Sequence, residues 1–87
     1  MSEESLLEFP CSFPIKMMGR DTTQFRHSAR ELVERHTGPL NEEAISEATS
    51  RNGNFVSLTF TVIAMSQDQL DDIYRDATAH DDVLMAL

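Results

Sequence analysis

The chain has 87 residues, with 15 Asp and Glu against 7 Lys and Arg, and a formal net charge of −8. That length holds one domain with one core, residues 1–87 with 1–5 as a flexible tail, and it must close as two packed layers because no disulfide or metal staple is evident. The acidity argues against a nucleic-acid binder, which needs Lys and Arg to displace counterions, and equally against an anionic membrane surface; its plain consequence is solubility.

Met1 to Ser5 is polar and acidic, without the basic start and apolar run of a secretory signal, and no stretch approaches membrane-spanning length. The expected location is therefore cytoplasmic. Leu6, Leu7 and Phe9 are expected to clamp the N-terminal segment onto the domain, while Pro10 keeps it from continuing as a helix. Cys11 is the only cysteine, so neither a disulfide nor a redox or zinc motif can form within the chain. Phe13, Ile15 and Met17 then alternate with Lys16 and Met18, which predicts a first strand of about six residues ending at Gly19.

Gly19-Arg20-Asp21-Thr22 reads as a turn, with Asp21 or Thr22 as the N-cap of a first helix. Phe25, Ala29, Leu32, Val33 and His36 form the inward stripe of that helix; Arg26, Arg30, Glu31 and Glu34 face water. Gly38-Pro39 ends it, because glycine tolerates the left-handed cap and proline cannot continue. Residues 43–50 predict an edge strand guarded by Glu47. Asn52-Gly53 is a strong hairpin signal and leads into a long strand. There Val56, Leu58, Phe60, Val62 and Ala64 share one face, and Ser57, Thr59 and Thr61 share the other. Such a strand suits a sheet covered on one side only.

Ser66-Gln67-Asp68-Gln69 is a capping box, and Leu70, Ile73, Tyr74 and Ala77 keep helical spacing behind it. Ala79 to Asp82 is a polar loop, after which Val83, Met85 and Leu87 alternate as a last strand. The order strand, helix, strand, strand, helix, strand, with right-handed crossovers, gives an α+β ferredoxin-like βαββαβ sandwich: a four-stranded antiparallel sheet with two helices on one face. The expected core is Phe13, Ile15, Met17, Phe25, Leu32, Val33, Leu58, Phe60, Val62, Leu70, Ile73, Val83 and Met85.

Leu6 to Pro10, Phe13 to Gly19, Arg35-His36, Ser50 to Ser57 and Val83 to Leu87 together resemble the YbeD-like family of short bacterial proteins of unknown function. The most specific pieces are Lys16-x-Met18-Gly19 and Gly53-Asn54-Phe55. The second strand departs from the family pattern, which usually carries proline there. The resemblance implies an ACT-like fold and a non-enzymatic regulatory or protein-interaction module. It extends to lipoate metabolism, because members are sometimes labelled lipoate regulators from gene neighbourhood. It implies no catalytic residue and no cofactor. An effector-binding ACT-like domain is the alternative, and an acylphosphatase-like hydrolase working through Arg20 is a distant one, lacking that family's glycine-rich phosphate loop.

Two regions are candidate sites. The Gly19-Arg20-Asp21-Thr22 loop lies where ACT-type domains hold effectors and offers helix N-terminal amides to an anion. The same residues also make an ordinary capping turn, and Asp21 already occupies the positive end. The uncovered sheet face, expected to carry Lys16, Met18, Phe55, Ser57, Thr59, Thr61, Ile63, Leu84 and Ala86, is the candidate contact for a protein partner or a second copy. It lacks the exposed aromatics on its central strands that an RNA-reading sheet needs. His27, His36 and His80 are too dispersed for a metal site. Of these, His36 suits the negative end of its helix. Asp68, Asp71, Asp72 and Asp76 read as a solvated helix face.

Overall fold

The computed structural model describes residues 7–87; the expected tail and Leu6 lie outside them. The chain passes through a cis Phe9–Pro10 bond into β1 (Cys11–Arg20), then α1 (Thr23–Thr37), a single 3-10 turn (Glu42–Ala44), β2 (Ile45–Thr49), β3 (Phe55–Ala64), α2 (Gln67–Ala79) and β4 (Met85–Ala86). All strand pairs are antiparallel, in the order β2-β3-β1-β4. This is the βαββαβ arrangement that the alternating and helical periodicities predict.

β1 runs ten residues rather than about six, and it carries Pro14 within a central strand. The hydrogen bonding explains why proline is tolerated. The Lys16 amide donates to the Leu87 carbonyl (3.1 Å), so even-numbered amides of β1 point toward β4. β4 (Met85–Ala86) pairs only with Met17 and Met18. The missing N–H of Pro14 therefore falls beyond the described β4 ladder, where it interrupts no ladder hydrogen bond.

Each helix is fixed by its own caps. Thr22, not Asp21, caps α1: its Oγ1 accepts from the Phe25 amide at 3.0 Å. Gly38, at φ 83°, closes the other end with its amide on Glu34 O, the left-handed position that favours glycine. At α2, Ser66 Oγ accepts from the Gln69 amide (3.1 Å). Gln69 reaches one residue further back than a capping box requires, accepting from the Met65 amide (2.7 Å). Its amide nitrogen donates to His36 O (3.0 Å), so the cap of the second helix also ties down the end of the first. The His36 ring meets Asp76 at 2.6 Å, a second tie between the helices. Gly53, at φ 75°, serves the β2–β3 turn as the Asn-Gly signal requires.

The core lies between the helices and one face of the sheet. Ile15, Met17, Phe25, Ala29, Leu32, Val33, Val56, Leu58, Phe60, Val62, Ala64, Leu70, Ile73 and Ala77 are buried, and among the described residues no polar or charged side chain joins them. Phe9, Phe13, Ile45, Tyr74 and Val83 pack against this cluster while half-buried. Met85 is a correction: expected in the core, it is 51 % exposed. Its partner across the ladder is Met18, while Ala86 pairs with Met17. Because successive side chains alternate faces, this register sends Met85 outward with Met18 and turns Ala86 onto the core, the reverse of the expected placement. A two-residue strand with apolar residues on both sides carries too little pattern to fix its own register.

β2 begins later than expected, since Glu42–Ala44 form the 3-10 turn. It is an edge strand. Glu47 pairs with Leu58, placing its carboxylate on the helix side. There Arg26 meets it through Nη2 (2.8 Å) and Nε (3.0 Å).

Candidate functional site

The face of the sheet opposite the helices is covered by no described element. Register assembles it from the strands: Ser12, Pro14, Lys16, Met18 and Arg20 from β1 lie opposite Ile63, Thr61, Thr59, Ser57 and Phe55 of β3. Ser46 and Ala48 of β2 flank Thr59 and Ser57, and Met85 flanks Met18 on the other side. Ile63 is 60 % exposed, and Met18, Ser57, Thr59 and Phe55 are half-buried by their neighbours. The guanidinium carbon of Arg20 sits 5.6 Å from the centroid of the Phe55 ring, within cation–π range. A shallow depression of about 100 Å³ opens here, with Met18, Ala48, Phe55 and Ser57 in its lining.

Lys16, Met18, Phe55, Ser57, Thr59, Thr61 and Ile63 thus share one surface, as the period-two pattern predicts. Ala86 does not, being turned inward beside Met17. Leu84 does not either: its amide bonds Met18 O (2.8 Å) at the strand edge, and its side chain lines a cleft with Thr22, Gln24 and Phe25. Met85, Ser12, Pro14, Ser46, Ala48 and Arg20 are the members that sequence reasoning left out. Arg20 was assigned to the loop because β1 was expected to stop at Gly19.

The Gly19 to Thr22 loop borders that cleft, of about 280 Å³, which also includes Arg20, Asp81 and Asp82 in its walls. Its amide donors are largely engaged. Asp21 N donates to Asn54 O (3.0 Å) and Thr22 N to Arg20 O (2.8 Å), and the Phe25 amide goes to Thr22 Oγ1. Asp21 binds Arg26 Nη2 at 2.7 Å. Asp82 accepts from Gln24 (3.1 Å) and Ser28 (3.2 Å), bringing a further carboxylate beside the helix end. An anion would meet partly occupied donors and the like charge of Asp21 and Asp82. Gly19 is buried against Phe25, so packing rather than ligand access accounts for this glycine. The Arg20 head stacks on Phe55 rather than gathering with loop amides as an acyl-phosphate site would need.

The helix layer holds an ionic lattice. Arg26 bridges Asp21 and Glu47. Arg30 meets Glu42 (2.8 Å) and Glu34 (3.0 Å). The hydrogen bonds of Glu47 and then Asp21 raise the pKa of Arg26, and those of Glu42 and then Glu34 raise that of Arg30. Glu34 accepts from the Leu40 amide (2.8 Å); that bond first, and Arg30 second, hold its carboxyl below its ordinary value. Tyr74 is raised by burial, with its hydroxyl donating to Leu87 O (2.8 Å). Among the described residues no three His, Cys, Asp or Glu gather as a metal-holding group, and no helix is long and apolar enough to cross a membrane.

Topology and packing define a small α+β domain of ferredoxin-like class, with two helices on one sheet face and the other face open. A family model described as "Protein of unknown function (DUF493)" matches residues 4–87, and the chain belongs to that family. Relatives named UPF0250 protein include one from Paraburkholderia phymatum, 40 % identical over 97 % of this chain and 94 % of that protein. Another, from Nitrosomonas europaea, is 40 % identical over the whole of both chains. The YbeD-like resemblance noted above therefore holds over the full length. The solution structure of protein HP0495 from H. pylori is similar in fold, with a TM-score of 0.69, 20 % identity, and coverage of 99 % of this chain and 90 % of that one.

Proposed function

We propose that this protein is a non-enzymatic interaction module that docks another protein on its open sheet face. A regulatory role is the finer form suggested by the ACT-like resemblance. A link to lipoate metabolism is its narrowest form and rests on that resemblance alone.

The observation that carries the reading is the composition of the open face. Met18, Met85, Phe55 and Ile63 stand among Ser57, Thr59, Thr61 and Lys16, a few larger apolar anchors within a polar field. That mixture matches non-obligate interfaces, which are about as apolar as ordinary surface apart from their anchors. A permanent dimer face would be more uniformly apolar.

Met18→Asp and Met85→Asp place a charge on an inner strand and on the edge strand of the face without touching the core. Both variants are expected to melt close to the parent, and to lose partner capture from a lysate of the source bacterium or self-association in sedimentation. Variants that fold normally and retain both behaviours would overturn the reading and redirect attention to the Gly19–Thr22 cleft.

A further inference from the structure

The 7 basic residues of the chain divide sharply between the two layers. In the helices, Arg26, Arg30, Arg35 and Arg75 are all ion-paired, to Glu47 and Asp21, Glu42 and Glu34, Asp76, and Asp72 respectively. The remaining three are Lys16, Arg20 and Arg51. Lys16 and Arg20 stand on the open face, and Arg51 lies in the β2–β3 turn at one end of that sheet. All three are exposed, and none has an ion pair among the described residues.

The carboxylates are distributed in the opposite way. Of all the residues in the four strands only Glu47 is acidic, and its side chain is on the helix side, held by Arg26. In a chain of net charge −8, the strand residues of the open face thus carry Lys16 and Arg20 and no Asp or Glu side chain.

From this partition we infer that the occupant of the open face is a protein segment bearing Asp or Glu around apolar anchors. Its carboxylates would meet Lys16 and Arg20 while its apolar side chains cover Met18 and Met85. This rests on the reading of that face as the docking surface. Electrostatic complementarity of this kind steers encounter and excludes wrong partners more than it adds raw affinity. The overall acidity then works with it, because an acidic partner is repelled by the helix layer and admitted only at the face. The same charges disfavour a second copy. A two-fold pairing of open faces sets like patches against each other, and Lys16, on the inner strand β1, has no Asp or Glu on the facing strands to relieve it.

The test uses a displayed library of random peptides selected on the immobilised full-length protein, with backbone amide shifts in NMR locating what the selected peptides touch. Enriched peptides are expected to carry Asp or Glu beside apolar residues and to shift Met18, Ser57 and Met85. Their binding should weaken as salt rises, and Lys16→Glu with Arg20→Glu should lower affinity about tenfold or more. Lys16→Gln with Arg20→Gln, milder for folding, should give a smaller loss in the same direction, and both pairs should leave the melting temperature near the parent's. Enriched peptides that seat on the open face but are neutral or basic would overturn the acidic-partner inference and leave the docking reading standing. Peptides that shift helix residues instead, or no enrichment at all, would count against both. Preferential binding of a single-stranded oligonucleotide at Lys16 and Arg20, or self-association abolished by the charge reversals, would also overturn it.

Discussion

Replacing Gly19 by alanine tests whether this glycine is a packing element rather than part of a ligand loop. Gly19 lies on the helix side of β1 opposite Val56. A Cβ built there would stand 2.5 Å from Phe25 Cδ1, 2.6 Å from Cε1 and 2.7 Å from Cγ. Carbon atoms in ordinary contact are about 3.5–4.0 Å apart, so the ring would have to retreat by about 1 Å. It has little room: Phe25 is 2 % exposed and belongs to the buried cluster. Overpacking a filled core costs about 1–3 kcal/mol, and contact along one side of a ring places Gly19→Ala toward the upper end. For a domain of this size that lowers the thermal midpoint by roughly 10–15 °C. The unfolded-chain effect of Gly→Ala runs the other way, by about 0.4–1 kcal/mol in favour of folding, so a net loss must come from the clash. Calorimetry of Gly19→Ala in the parent and in a Phe25→Leu background isolates the contact. The alanine should cost much less once the ring is gone. An unchanged midpoint in the parent, or an equal loss in both backgrounds, would refute the argument.

Phe60→Ala empties the centre of β3, where the ring is fully buried, and should cost about 3–5 kcal/mol in chemical denaturation; a loss below 1 kcal/mol, well short of that range, would mean the β3 faces are assigned the wrong way round. Glu34 has its carboxyl pKa lowered by the Leu40 amide and Arg30, so its contribution is present above the ordinary carboxylate pKa, about 4.3, and is lost as pH falls through the lower folded value. Melting of the parent and Glu34→Gln should therefore converge on acidification, and a gap independent of pH would remove Glu34 from the acid response.

Much of the fold was legible because its longest elements carry unambiguous periods. β3 alternates over ten residues, and its five apolar positions, Val56 to Ala64, are all buried. The Ser66 capping box and the Gly38-Pro39 stop mark helix ends by backbone chemistry that does not depend on tertiary context. The misreadings fall where pattern is thin. β1 was expected to span about six residues ending at Gly19, and it runs from Cys11 to Arg20; Pro14 fits inside it because the β4 ladder reaches only Met17 and Met18. β4 has apolar residues on both sides, so its register is set by hydrogen bonds to Met18 and Lys16 and not by its own sequence. That one inversion moved Met85 onto the open face and took Ala86 off it. Leu84 left the face for a different reason, since it lies at the strand edge beside the α1 terminus. Glu47 read as an edge guard because nothing in the chain announces that Arg26, 21 residues earlier, will lie above it.

The two layers separate two physical requirements that usually compete on a small domain. Stability resides on the helix side, where the core, the helix caps and the ion-paired arginines all lie. The open face holds few interactions that folding requires, since Thr and Ser on an exposed strand satisfy β-propensity while leaving their hydroxyls to water. Its substitutions should therefore stay within about 0.5 kcal/mol of the parent, the usual range for surface positions outside special contacts. Recognition can then vary at Lys16, Met18 and Met85 while the fold stays fixed, because each of these side chains points away from the layer that holds the domain together.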